Sequence, residues 1–168
     1  NICLAGTGVV KSLFMCHMAS SALMQNKNVL YITLEMSEER IAERIDANIL
    51  NIPMKELPDI SKKEYGKKIG RLKNKTKGKL IVKEYPTASA HVGHFRHVLQ
   101  ELSIKKDFQP DIIFVDYLNI CASQRIRPGA GANSYTLVKS IAEELRGLAV
   151  EHDLPIVSAT QTTRSGYG

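Results

Sequence analysis

The sequence predicts an α/β fold, a mostly parallel sheet covered by helices on both faces, and three observations carry that expectation. Strand-like and helix-like segments alternate along the chain, the pattern of parallel strands joined by helical crossovers. Asp111 to Val115 is a nearly continuous apolar run, as in a strand buried on both faces. Polar or Gly-containing turns follow the strand-like runs, and in such sheets ligands bind beyond the carboxyl ends of the strands. At 168 residues the chain has room for one domain.

The elements follow in order. Ile2 to Ala5 is a short apolar strand that runs into a Gly-rich turn, after which Phe14, Met18, Ala22 and Leu23 recur at helical spacing. Asn28 to Leu34 is rich in β-formers and reads as the second strand. Ser37 is a natural N-cap, with Glu38 and Glu39 in the first turn where acids suit the helix dipole. Ile41, Ile45 and Ile49 continue that helix until Pro53. Leu80 to Glu84 is a third strand, closed by Pro86. Val92, Phe95, Leu99 and Leu102 form a helical stripe before the apolar fourth strand. Arg125 to Asn133 is a Gly-rich loop containing Pro128. Leu137, Ile141, Leu145 and Leu148 mark another helix, and Pro155 to Ala159 a fifth strand.

Composition narrows the function classes. Hydrophobic residues make up 43% and charged residues 24%, as in a soluble globular protein. No run of about 18 apolar residues occurs, so no membrane span is expected. No secretory pattern is present. Residue 2 already reads as strand and no initiator Met precedes it, the look of a piece of a longer protein. Cys3, Cys16 and Cys121 fit no metal spacing and read as small buried hydrophobes in a reducing cytoplasm. The net charge of +6 suits a polyanionic partner without proving one. Much of the excess lies in Lys62 to Lys79, nine Lys or Arg against one acid, Glu64, which reads first as a solvated helix face with a turn at Gly78.

The turn after the first strand carries the most specific chemistry. Ala5, Gly6, Thr7, Gly8, Val9, Val10, Lys11 and Ser12 come close to the phosphate-binding pattern G-x-x-x-x-G-K-[ST]. Small residues let backbone N–H groups wrap phosphates. Lys11 would reach the β- and γ-phosphates, and Ser12 would place its hydroxyl on Mg²⁺. A helix starting near Lys11 would point its positive end at the anion. The usual Gly before the Lys is Val10 here, and a β-branched residue suits positive φ poorly. An ordinary strand-to-helix turn with an exposed Lys is the competing reading.

Three other strand ends add to the case. Asp116 follows the fourth strand, where a phosphate-loop ATPase keeps its second Mg²⁺-organising carboxylate. Glu35 follows the second strand and could polarise an attacking water. Gln161 follows the fifth and could sense a γ-phosphate by hydrogen bonding. Four such groups at four strand ends are far less expected by chance than one.

The segment L-E-M-S with Arg44 nine residues after Glu35 resembles the DnaB-type replicative helicase family, phage members above all. So does V-D-Y-L-N-I, Val115 to Ile120, and the run from Ser134 to Glu151 is similar to the helix after the family's first DNA-binding loop. The likeness continues through E-R-I-D-A-N-I-L and I-V-K-E-Y-P-T and covers essentially the whole chain. The resemblance implies a three-layer RecA-like phosphate-loop NTPase core, truncated at its C-terminus. It implies a hexameric ring that moves along single-stranded DNA in the cytoplasm, driven by hydrolysis of ATP or another NTP with Mg²⁺. Primase and a helicase loader are the implied further partners. By position, Lys11 and Ser12 bind phosphate and Mg²⁺, Glu35 is the catalytic carboxylate, Asp116 the Mg²⁺-site acid and Gln161 the γ-phosphate sensor. Arg44 matches an Arg near the nucleotide. Ser123 to Asn133 matches the first DNA-binding loop, making Arg125 and Arg127 candidates for DNA phosphates, with exposed loop charge as the plainer alternative.

Departures from the family leave two other readings open. Val10 would suit a degenerate RecA-like module kept for assembly. A RecA- or RadA-type recombinase shares the core, although L-E-M-S with V-D-Y-L favours the helicase. The family's later strands, second DNA loop, trans-acting Arg finger and amino-terminal primase-contacting domain lie outside the chain, so unwinding by this chain alone is not expected. His91, His94 and His97 share a predicted helix without a completing acid or Cys and read as exposed helix-surface histidines rather than a metal set. Met15, Met18 and Met24 read as core filler.

Overall fold

The computed structural model describes residues 1–5, 10–127, 131 and 133–161. Five strands form one sheet: β1 (Ile2–Ala5), β2 (Val29–Thr33), β3 (Leu80–Glu84), β4 (Ile112–Asp116) and β5 (Ile156–Gln161). Their order is β1-β5-β4-β2-β3, and every pairing is parallel. The crossovers carry five helices: α1 (Val10–Met24), α2 (Glu38–Ile49), α3 (Lys62–Lys73), α4 (Val92–Lys106) and α5 (Ser134–His152).

Side-chain alternation splits the core into two layers, as the two-residue period of a strand requires. Val29, Tyr31, Phe114, Val157 and Ala159 face one side and pack under Met15, Cys16, Ala19 and Leu23 of α1 and Ile41 and Ile45 of α2. Leu30, Ile32, Ile113, Val115 and Ile156 face the other, under α4 and α5, whose contacts include Phe95, Leu99, Leu102, Ile141, Leu145 and Leu148. Both faces are thus covered, the three-layer arrangement expected from the sequence.

Local chemistry sets the helix ends. Ser37 caps α2, its side chain accepting from the Arg40 N–H at 3.4 Å. Ser61 caps α3 through the Glu64 N–H at 3.2 Å, and Asn133 caps α5 through the Thr136 N–H at 2.8 Å. The helix α4 starts differently. His91 Nδ1 accepts from the Gly93 N–H at 3.0 Å, and His94 Nδ1 accepts from the His91 N–H at 3.2 Å. These two histidines form a helix cap; His94 and His97 are exposed, as expected, and His91 is half-buried. At the foot of β3, Gly78 has no room for a side chain: a Cβ would lie 2.5 Å from the Lys27 carbonyl oxygen.

Two expectations about α1 need correction. Its buried stripe is Met15, Cys16, Ala19, Ser20 and Leu23, while Phe14 is exposed. Met24 is exposed as well, not core. The helix is apolar nearly all round, so periodicity could not fix which face turns inward. The basic run does form a helix face in solvent: α3 buries none of its residues. Among the described residues no helix is long and apolar enough to cross a membrane.

Candidate nucleotide site

The carboxyl ends of β1, β2, β4 and β5 lie side by side in the sheet, so the groups that follow them share one edge. The head of α1 brings Lys11 and Ser12 there, both nearly inaccessible at 4% exposure. The Lys11 ammonium sits 3.7 Å above the centroid of the Tyr117 ring and donates to Gln161 Oε1 at 3.4 Å. Val10 is the first residue of α1 and 70% exposed. A helical residue with its side chain in solvent accommodates Val at small cost. Ala5 ends β1, and Gly6, Thr7, Gly8 and Val9, the heart of the expected phosphate loop, lie outside the described residues.

Asp116 is the last residue of β4 and 1% exposed. Its Oδ2 accepts from the Tyr31 hydroxyl at 2.8 Å, and among the described residues its Oδ1 has no hydrogen-bond partner. Burial, then the Asp116 carboxylate, pushes the Tyr31 phenol well above its ordinary range, so it stays a donor. Tyr117 is also raised, by burial first and then by the carboxylates of Glu35 and Asp116.

Glu35 stands exposed on the bend between β2 and α2. Thr33 fixes that bend: its hydroxyl donates to the Met36 carbonyl at 2.8 Å and accepts from the Met36 N–H at 3.1 Å. The Leu34 N–H donates to the Asp116 carbonyl at 3.0 Å, tying the bend to the end of β4. Gln161 is held through Asn119, whose Oδ1 accepts from the Gln161 N–H at 3.0 Å and the Thr160 hydroxyl at 2.8 Å. Lys11 and Gln161 are thus in contact, while Asp116 ends β4 and Glu35 follows the neighbouring β2 at the same edge. Arg44, on α2, is half-buried, and among the described residues its Nη1 is buried without a partner.

The loop after β4 leaves the same edge. Its stem is tied to α5: Glu144 Oε1 accepts from the Gln124 N–H at 2.7 Å, and the Ser123 and Ser140 hydroxyls lie 3.1 Å apart. Arg125 is exposed and pairs with Glu143 at 3.3 Å, while Arg127 is exposed. Residues 128–130 and 132 of the loop lie outside the described residues.

Sequence reasoning missed Tyr31, Thr33, Tyr117 and Asn119. Tyr117 and Asn119 stand inside V-D-Y-L-N-I, and two polar residues interrupting an apolar run just past a strand-end acid were the available signal. Tyr31 and Thr33 carried none, because both read as ordinary strand residues.

A five-stranded parallel sheet with Lys and Ser heading α1 and two carboxylates at the facing strand ends defines a RecA-like ATPase core. The chain belongs to the DnaB-like helicase C-terminal domain family, whose model matches residues 1–167. It is 48% identical over 170 residues to the DnaB-like replicative helicase of Enterobacteria phage T4, covering 99% of this chain and 36% of that protein. It is 28% identical over 160 residues to the replicative DNA helicase DnaB of Helicobacter pylori (strain ATCC 700392 / 26695), covering 92% of this chain and 31% of that one. The chain thus spans about a third of the length of the curated relatives it matches. Among solved structures it superposes on a DnaB-like replicative helicase described with its interactions with primase. The TM-score is 0.73 at 19% identity, over 98% of this chain and 39% of that chain. A second match, described as an ATPase domain, gives a TM-score of 0.71 at 17% identity, over 98% of this chain and 57% of that chain. Both superpositions show the fold that this family membership implies.

Proposed function

We propose that this chain is the NTP-binding motor domain of a replicative DNA helicase, coupling ATP hydrolysis to movement along single-stranded DNA. The observation that carries the reading is the placement of Lys11, Asp116, Glu35 and Gln161 at neighbouring strand ends of one sheet edge, from which the loop bearing Arg125 and Arg127 also leaves. Family membership and the relatives' names support the helicase class over a recombinase.

Each residue then has a role its position suits. Lys11 leaves the Tyr117 ring for the β- and γ-phosphates, a stronger partner for an ammonium than a ring face. The head of α1 adds its positive dipole end, and the backbone of Gly6, Thr7, Gly8, Val9 and Val10 after Ala5 wraps the phosphates. Ser12 and Asp116 fit a Mg²⁺ ion, since Asp116 is buried with one oxygen unpartnered among the described residues, and Ser12 offers a hydroxyl beside Lys11. When bound, Mg²⁺ neutralises phosphate charge. Glu35 holds the attacking water and takes its proton. Gln161 is released when Lys11 turns to phosphate and is free to bond to the γ-phosphate. Arg44 is the least defined member of the set, acting near the nucleotide from α2. Arg125 exchanges Glu143 for DNA phosphate, joined by Arg127. In the whole protein we place this domain in a hexameric ring in the cytoplasm, served by primase and a loader.

The test is direct. Lys11→Ala should abolish ATP binding measured by calorimetry. Replacing Arg125 and Arg127 together with Ala should weaken binding of fluorescent oligo(dT) and reduce the salt slope by about 1 to 2. Unchanged ATP affinity in Lys11→Ala contradicts the reading.

A further inference from the structure

We propose that Tyr31 is a positioning residue for the metal side of the nucleotide site, committing one oxygen of Asp116 to the protein and presenting the other to the ligand. The inference rests on Asp116 as the Mg²⁺-site acid and adds a residue from a different strand to that site.

The geometry begins with the sheet. In the parallel register of β2 and β4, Tyr31 lies beside Phe114, two residues before Thr33, which lies beside Asp116. Tyr31 therefore points to the α1 face and reaches along it toward the end of β4. Its ring is fully buried and stacks on Phe114, centroids 5.8 Å apart and planes 16° from parallel. Cys16 Sγ of α1 lies 3.9 Å from the phenol oxygen. Held between strand and helix, the ring cannot swing away. Its hydroxyl donates to Asp116 Oδ2 at 2.8 Å.

Packing alone does not call for that oxygen, because Phe would fill the same space without a polar group to satisfy. A buried carboxylate needs partners, and among the described residues only Oδ2 has one. Within that set Oδ1 is left for a ligand at the end of the sheet. Rotation about the Cβ–Cγ bond would exchange the two oxygens, and the Tyr31 bond opposes that exchange. Outer partners that fix a ligating carboxylate raise metal affinity in this way.

The experiment uses Mn²⁺ as the probe, titrated by calorimetry into the chain saturated with ADP, with ADP affinity measured separately in EDTA. Tyr31→Phe should weaken Mn²⁺ binding about tenfold and leave ADP affinity in EDTA unchanged. In an Asp116→Asn background the same substitution should change Mn²⁺ binding less than about twofold, since the tyrosine then has no carboxylate to orient. Unaltered Mn²⁺ affinity in Tyr31→Phe overturns the inference. So does an equal loss in both backgrounds, or a matching loss of ADP affinity in EDTA, each of which marks a merely structural tyrosine. If the parent chain binds no ADP, the nucleotide reading itself fails, and that result is distinct because it precedes any comparison of variants.

Discussion

Lys11 rests on a ring and an amide before any phosphate arrives, and that resting place has a cost for binding. A cation over an aromatic face is worth about 0.5–2 kcal/mol depending on solvent access, and that contact must be given up when the ammonium turns to phosphate. Tyr117→Leu should therefore raise ATP affinity by about two- to thirtyfold, read by calorimetry; a fall in affinity would show that the ring serves the bound state instead. Thiol chemistry tests the packing around the site. Burial pushes Cys16 up to about 11 and Cys121 up to about 12. Both values lie above pH 8, so both groups stay neutral thiols there and the reactive thiolate is scarce. Alkylation of these two at pH 8 should be slow in the folded chain and fast in urea, and equal rates would contradict the burial. The charged and amide groups of the site were legible because each follows a strand-like run in sequence. Tyr31 and Tyr117 were not, because each acts on a residue brought from another strand or helix.

At the scale of elements, α5 holds the stem of the candidate DNA loop. Glu144 is buried, and its Oε1 takes the Gln124 N–H. Gln124 is exposed, so water can take that N–H, and removing the carboxylate costs the net bond, about 0.5–1.5 kcal/mol. Glu144→Ala should lower stability by that amount in urea titration and weaken oligo(dT) binding while sparing ATP affinity. A variant that loses ATP affinity and DNA affinity together would instead place Glu144 in the nucleotide site. Caps written in Ser37 and the acids after it were readable from sequence, since an N-cap is a local event. The cap of α4 was not, because histidines at i and i+3 signal surface or metal before they signal a capping box. The inward face of α1 was hidden by its apolar residues all round, and only the sheet beneath decides it.

The whole molecule follows from alternation. Strand runs separated by helices forced a parallel sheet with two apolar layers, and that much needed no tertiary information. The order β1-β5-β4-β2-β3 is what brings the ends of four strands to one edge, and order is not written in any single segment. In the proposed function this edge binds Mg²⁺–nucleotide although Val10 stands where the phosphate-loop pattern has Gly. The measurement that tests it most directly is calorimetric titration of Mg²⁺–ATP into this chain and into Val10→Gly. Because Val10 belongs to α1 and its side chain is in solvent, both should bind, with affinities within about tenfold, as a helix-propensity change of roughly 1 kcal/mol allows. Binding by neither at millimolar nucleotide would contradict the claim. Binding by the Gly version alone would leave the fold and family in place and make this chain a disabled copy.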